Sequence, residues 1–264
     1  MIPNILSIAG SDPSGGAGVQ ADLKAIAANG GYGMAAITAL TVQNTQGVSD
    51  VVLTDPGLVA AQVDAILTDI RIDAVKIGML GSEAICAAVA GCLAGRGLPV
   101  VVDPVMSSTS GRTLTGQQAL EGFLHYIVPL STVLTPNLPE AAVLLGCDEA
   151  RDRGEMLDQA EQLHALGPAI LLKGGHLPGP QCPDVLVDET GPHWFEAERM
   201  DMPGTHGTGC TLSSALATQI AVLGDLCAGV ANAKTYTRNA ILGSGGLEVG
   251  QGVGPTDHFF ALRR

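Results

Sequence analysis

Aromatic side chains are scarce: only 3% of the residues are Phe, Trp or Tyr, although 46% are hydrophobic. The interior must therefore be built from Ala, Val, Ile and Leu. A chain of 264 residues can bury such a core without disulfide or metal staples. Positive charge is scarce as well. Lys plus Arg number 13 against 26 Asp plus Glu, a formal charge of −13, which excludes the basic face that nucleic acid or an anionic membrane surface requires. The lysines are Lys24, Lys76, Lys173 and Lys234 alone, so each retained cation is informative. The six cysteines form no CxxC and no Cys/His pattern at zinc spacing, and they sit among apolar or small neighbours. They are read as free thiols of a reducing, cytoplasmic compartment. No run reaches the ~18 apolar residues of a membrane span, and the first residues carry no basic leader region. Absent too are G-x-x-x-x-G-K-[ST], H-E-x-x-H and G-x-S-x-G.

What is present is an alternation. Short apolar runs ending in Gly, Pro or Asp predict strands at residues 4–9, 34–42, 51–54, 74–77, 100–103, 132–135, 169–173 and 184–187. Between them, helical spacing predicts helices at 17–28, 56–70, 83–94, 117–127, 138–145, 154–166, 211–223 and 228–242. The clearest has Asp55 as N-cap, Pro56 at the first helical position, and Val59, Val63, Ile66, Leu67 and Ile70 along one face. Continuously apolar strands suit a sheet covered on both faces. The implied class is α/β, three layers, with a mostly parallel central sheet and helices on both faces. Such sheets bind ligands beyond the carboxyl ends of their strands. No repeat, low-complexity tract or linker interrupts the pattern, so residues 1–264 are expected to form one domain.

Several segments could carry chemistry. Gly10-Ser11-Asp12-Pro13-Ser14-Gly15-Gly16-Ala17-Gly18 follows the first strand. Part of it matches G-x-G-x-x-A, but the match begins well past the strand, and the second strand ends in Val42-Gln43-Asn44 with no acidic residue. That disfavours a dinucleotide fold and leaves a loop whose backbone approaches a ligand, or an ordinary tight turn. Gly207-Thr208-Gly209-Cys210 precedes a helix, where unpaired N–H groups and the helix dipole attract anions, as a migrating phosphoryl group requires. The bland alternative is a glycine turn before a packing helix. Cys210 falls in the first turn, where thiol pKa values tend to drop.

Asp103 closes a strand, and Glu140 stands three residues after Asn137. Both are oxygen ligands of the kind Mg²⁺ takes beside a triphosphate. Asn137 and Glu140 equally fit a helix capping box, and the two roles are compatible. Lys173, after four apolar residues and before two glycines, could act as a point charge on phosphate or snorkel from a strand end. His206 beside Cys210 raises a minor Cys-hydrolase alternative.

Taken in order, these segments resemble the hydroxymethylpyrimidine/phosphomethylpyrimidine kinase family, among the ribokinase-like kinases. The resemblance runs from Gly10 through Asp22, then through Thr41-Val42-Gln43-Asn44-Thr45, Lys76-Ile77-Gly78-Met79-Leu80 and Asp103-Pro104-Val105-Met106. It continues through Thr135-Pro136-Asn137-Leu138-Pro139-Glu140, Leu172-Lys173-Gly174-Gly175-His176 and His206-Gly207-Thr208-Gly209-Cys210-Thr211, and ends in a G-x-G-P-x-x-H-F segment at 252–259. The resemblance implies a ribokinase-like fold, ATP and Mg²⁺ as cofactors, and two successive phosphoryl transfers in thiamine biosynthesis. It implies that Gly10, Asp22 and Gln43 meet the aminopyrimidine, with Met79 and Val105 as apolar walls. The side-chain amide of Gln43 offers donor and acceptor together, matching a ring nitrogen beside an exocyclic amine. It further implies that Gly207, Thr208, Gly209 and Cys210 form an anion hole with Cys210 as base, where many ribokinase relatives carry Asp. Asp103 and Glu140 would hold Mg²⁺, Lys173 and Lys234 would approach phosphates, and the enzyme would be a homodimer. Residues 107–111 (Ser-Ser-Thr-Ser-Gly) depart from the family's Ala-Lys-Ser-Gly run, and Gly204 replaces a residue that is commonly Asn. The rival expectations are a pyridoxal or pyridoxine kinase of the same superfamily and a non-catalytic pyrimidine sensor.

Overall fold

The computed structural model describes residues 1–106, 116–200, 202 and 204–263. The departure at 107–111 lies outside the described residues. In chain order the elements begin with β1 (Asn4–Ser11), α1 (Gly18–Ala28), β2 (Tyr32–Asn44), β3 (Gly47–Leu53), α2 (Pro56–Asp69), β4 (Ala74–Ile77), α3 (Glu83–Leu93) and β5 (Val100–Val102). They continue with α4 (Gln117–Gly122), β6 (Val133–Leu134), α5 (Leu138–Leu145), α6 (Arg153–His164), β7 (Ala169–Lys173), β8 (Asp184–Asp188), β9 (Gly191–Phe195), α7 (Thr208–Leu223) and α8 (Leu226–Gly243). Among the described residues the strands make one nine-stranded sheet in the order β3-β2-β1-β4-β5-β6-β7-β8-β9. The six strands from β2 to β7 run parallel, and β3, β8 and β9 are antiparallel margins.

Strand alternation sends successive side chains to opposite layers. Leu6, Ile8, Val75 and Ile77 join the core that α2, α3, α5 and α6 cover, whereas Ile5, Ala74 and Val101 join the core under α1, α7 and α8. Burial of each such branched side chain contributes about 1.5–3 kcal/mol, which holds the three layers together. On the same period Ser7 and Lys76, paired in register between β1 and β4, must face the α1/α7 layer.

Element boundaries mostly match the sequence pattern. Asp55 caps α2 by accepting from Leu58 N, and the Asn137/Glu140 capping box forms on α5. Three differences have physical causes. The β2–β3 hairpin continues past the apolar residues, because Gln43 and Asn44 pair with Val48 and Gly47 across a two-residue turn. The segment from Gln117 becomes a π-helical turn at Phe123–Ile127 rather than one regular helix. Strand β9 was not expected from Gly-Pro-His-Trp-Phe; Pro192 is tolerated because β9 is an outer strand.

Candidate active site

The sheet order reverses at β1, which lies between β2 and β4. Ligand crevices open at such switch points. A cavity of about 550 Å³ lies there, beyond the carboxyl ends of β1, β4, β5 and β7. Its walls include Gly10, Gln43, Met79, Val105, Asp103, Glu140, Lys173, Gly207, Thr208, Gly209 and Cys210. Eleven residues expected from seven separate segments are thus brought to one site.

Two glycine turns meet at its rim. Gly207 is the N-cap of α7 and has φ +78°. A Cβ there would lie 1.8 Å from the Gly16 carbonyl oxygen, and one on Gly16 would lie 2.3 Å from the His206 ring. Only glycines allow this approach. Helix α7 begins at Thr208 rather than Thr211; Thr208 N donates to Thr205 O at 3.3 Å, so Gly209 and Cys210 contribute the unpaired N–H groups of its first turn. A Cβ on Gly209 would lie 3.0 Å from Asp103 Oδ2 and 3.4 Å from Lys173 Nζ, which sets the helix mouth directly against the charged cluster.

That cluster has one cation and two carboxylates. Lys173 Nζ donates to Asp103 Oδ1 at 3.2 Å and lies 4.0 Å from Glu140 Oε2. Burial works against the Lys173 charge, but Asp103 and Glu140 offset it and hold the lysine above its usual range. Glu140 is pushed up to about 7, first by burial and then by Asp103, with Lys173 opposing. Excess negative charge around hard oxygen donors is what a divalent cation relieves, so these residues fit Mg²⁺.

Cys210 corrects one expectation. Its thiol is pushed up to about 12 rather than down: burial dominates, Lys76 opposes, Asp22 and Asp103 add to the rise, and a backbone hydrogen bond at Gly18 lowers it. The thiol is neutral at rest.

Two expected contacts are also corrected. Asp22 is not on the cavity wall. It is fully buried, accepting from Ser7 Oγ at 2.6 Å, Ser214 Oγ at 2.8 Å, and Lys76 Nζ at 2.7 and 2.8 Å. These donors occupy both carboxylate oxygens, so Asp22 supports the floor instead of meeting a ligand. Lys234 is likewise off the wall, because it donates to Asp184 Oδ2 at 2.6 Å, while Asp184 Oδ1 accepts from Gly174 N.

The sequence reading missed Lys76 as a site residue. It is fully buried yet reaches the cavity floor, where burial works against its charge and Asp22, with Cys210 and Asp103, holds it above the lysine range. It also missed Asp12 and the true role of His206. The Nε2 of His206 faces Asp12 Oδ2 at 2.9 Å, which ties the two glycine turns together and commits that nitrogen away from Cys210. Strict strand alternation was the signal that could have placed Lys76 inward.

The mouth of α7 is braced from behind. Thr211 Oγ1 donates to Gly207 O at 2.9 Å and lies 3.1 Å from His258 Nε2. Burial, with the Lys24 charge, pushes His258 down to about 4. A buried neutral imidazole gives stability that is complete above the unfolded value near 6.5 and is lost as pH falls toward 4. Moving from pH 7 to pH 5 is therefore expected to remove about 2 kcal/mol through this group. Urea unfolding of His258→Gln at the two pH values should show a loss smaller by that amount; an equal loss would contradict it.

A profile of the phosphomethylpyrimidine kinase family matches residues 12–257. The Escherichia coli K12 hydroxymethylpyrimidine/phosphomethylpyrimidine kinase is 46% identical over 260 residues, covering 98% of each chain. Among solved structures, the ADP complex of Bacillus subtilis pyridoxal kinase superposes with a TM-score of 0.89 at 35% identity, covering 99% of each chain. Phosphomethylpyrimidine kinase from Clostridium difficile 630 gives 0.80 at 38% identity, covering 91% of this chain and 100% of that one.

Proposed function

The chain belongs to the phosphomethylpyrimidine kinase family, and from that membership we propose that it phosphorylates 4-amino-5-hydroxymethyl-2-methylpyrimidine and then its monophosphate, using ATP, in thiamine biosynthesis. The observation that carries this reading is the placement of the α7 mouth, the Asp103/Glu140/Lys173 cluster and Gln43 around one cavity. The aminopyrimidine lies against Gln43 and Gly10, with Met79 and Val105 closing on its ring. Its hydroxymethyl group points toward Cys210. Backbone N–H groups of Gly209 and Cys210 receive the migrating phosphoryl, whose charge in the transition state they stabilise without reorganising. Lys173 supplies a fixed positive charge on the same side.

Asp103 and Glu140 would hold Mg²⁺ directly or through water. The ion supplies neutralisation of phosphate charge. Cys210 is assigned as acceptor of the hydroxyl proton. Since its thiol is neutral at rest, the reactive form is the minor thiolate stabilised by Lys76. Lys234, bound to Asp184 behind the Lys173–Gly174 turn, acts on the triphosphate only through that turn.

Pyridoxal kinase is a second reading, favoured by the likeness to the Bacillus subtilis enzyme. Rates of ADP release with hydroxymethylpyrimidine, its monophosphate and pyridoxal separate the two. The pyrimidine is expected to give the highest kcat/KM; a higher value with pyridoxal would exchange them, and binding without ADP release would make the protein a sensor.

The same proposal includes a homodimer in the cytoplasm. Leu40, Val42 and Val52 are 57%, 60% and 61% exposed. Leu40 and Val52 pair in register, so these side chains share a face of the β2–β3 hairpin at the sheet edge. Contiguous apolar surface of this kind marks a protein contact. Light scattering should give a mass twice 26.8 kDa, reduced to monomer by Val52→Lys; a monomeric wild type would refute it. Six free cysteines suit a reducing compartment, and no helix among the described residues is long and apolar enough to cross a membrane.

A further inference from the structure

Gln43 is the polar group on the wall assigned above to ring recognition, and its usefulness depends on which arm of its amide carries the oxygen. Amide oxygen and nitrogen are nearly isosteric, so the surrounding donors and acceptors decide between the two orientations. Two neighbours do so.

On one side is His206. Asp12 Oδ1 accepts from Ser14 N at 2.9 Å and Ser14 Oγ at 2.7 Å, and Oδ2 accepts from Ala17 N at 2.8 Å. The His206 hydrogen bond holds Asp12 below the usual carboxylate range against the effect of burial, so this is an ionised, acceptor-only group. His206 Nε2, 2.9 Å from Asp12 Oδ2, must therefore carry a proton and donate it. One arm of the Gln43 amide lies 3.4 Å from that same nitrogen. An N–H arm there would face an N–H; an oxygen arm meets the positive edge of the ring.

On the other side is Thr41. Its hydroxyl lies 2.8 Å from the Ser11 carbonyl oxygen, which can only accept, so the single hydroxyl proton is committed there. The other arm of Gln43 is 3.2 Å from Thr41 Oγ1. Facing a hydroxyl whose proton is already used, that arm must be the donor. In the structure Oε1 stands beside Thr41 and Nε2 beside His206; both neighbours demand the amide turned over, with the NH₂ beside Thr41 and the oxygen beside His206. The period of β2 is what allows it, since Thr41 and Gln43 share the inward face while Leu40 and Val42 point out.

On the reading of Gln43 as the group that meets the ring, we infer that Thr41 and His206 are positioning residues that lock its amide and so set ring specificity. Once locked, Gln43 has one N–H and one lone pair left for the cavity, in a fixed left-to-right order. A ring that presents an acceptor and a donor in the matching order, as a ring nitrogen beside an exocyclic amine does, pairs at both atoms. A ring with an oxo group in place of the amine sets acceptor against acceptor. A freely turning amide would accept both, so discrimination comes from the lock as much as from Gln43.

The test compares kcat/KM for 4-amino-5-hydroxymethyl-2-methylpyrimidine and its 4-oxo analogue in the wild type and in Thr41→Val, which keeps shape and removes the acceptor. The preference for the amino ring is expected to shrink roughly tenfold, through KM of the amino ring with kcat within about twofold. Thr41→Ser should restore it. His206→Gln, which keeps an N–H where Nε2 stood, should retain it. Wild-type turnover with a preference unmoved by Thr41→Val, or lost equally in Thr41→Ser, would overturn the lock. No turnover of the amino ring by the wild type would sink the pyrimidine kinase reading itself, a distinct result.

Discussion

Cys210→Ala is expected to lower kcat on hydroxymethylpyrimidine by about 10²–10⁴-fold, the range of a lost general base, with pyrimidine affinity changed less than about threefold. The split follows from where the sulfur sits. Cys210 is in the first turn of α7 on the cavity wall, whereas the groups assigned to hold the ring are on β2 and at the ends of β1, β4 and β5. Removing the sulfur takes away the proton acceptor and leaves the backbone N–H donors, the charged cluster and the ring contacts in place. Because a loose phosphoryl transition state asks little of its base, the loss is expected in the lower part of that range. The resting thiol, near 12, adds a pH signature: if the minor thiolate is the reactive form, kcat rises with pH between 7 and 9. A flat profile with the same loss in the alanine variant would make Cys210 a group that orients the hydroxyl. An unchanged rate in the alanine variant would remove it from the mechanism.

Lys76→Met should be strongly destabilising. Lys76 and Asp22 are both fully buried and bonded through both carboxylate oxygens, so truncating the lysine strands an uncompensated charge in the interior. Breaking such a pair from one side typically costs about 3–5 kcal/mol. In a protein of this size that lowers Tm by on the order of 10 °C. The pair also has a mechanical role. Ser7 on β1, Asp22 on α1, Lys76 on β4 and Ser214 on α7 are tied by it, and Ser214 lies one turn beyond Cys210. Loss of the lysine therefore loosens the base and removes the cation beneath it. Changing both partners, Lys76→Met with Asp22→Leu, should recover much of the stability, since apolar replacement of a whole buried pair is often neutral. It should not recover the rate. Thermal unfolding and turnover measured on the three proteins test this; a Lys76→Met protein as stable as the wild type would contradict the buried-pair account.

These two residues also show where sequence stopped being legible. Strand ends and helix starts could be read because they are local: Asp103 after three valines, the Asn137/Glu140 box, and glycines before a helix all announce themselves within a few residues. Such local signals mark seven of the eleven wall residues, whereas the roles of Gly10, Gln43, Met79 and Val105 come from the family resemblance. Asp22 and Lys76 depend instead on which face of β4 meets which helix, a property of the layer packing. In a run such as Ala-Val-Lys-Ile, a lysine reads as a strand-end charge until Ser7 is known to lie beside it. Cys210 failed differently. A helix N-terminus does favour a thiolate, but the sequence gives no measure of burial or of the Asp22 and Asp103 carboxylates that oppose it. Lys234 failed because Asp184, fifty positions away, holds it.

In this enzyme the mouth of α7 is proposed to receive a phosphoryl group passing from ATP to a hydroxymethyl beside Cys210. Phosphorus NMR of the wild-type protein with Mg-ATP and hydroxymethylpyrimidine tests it most directly. A new phosphomonoester signal is expected, giving way to the coupled pair of a diphosphate ester. A spectrum in which no phosphorus signal depends on the added pyrimidine would contradict it.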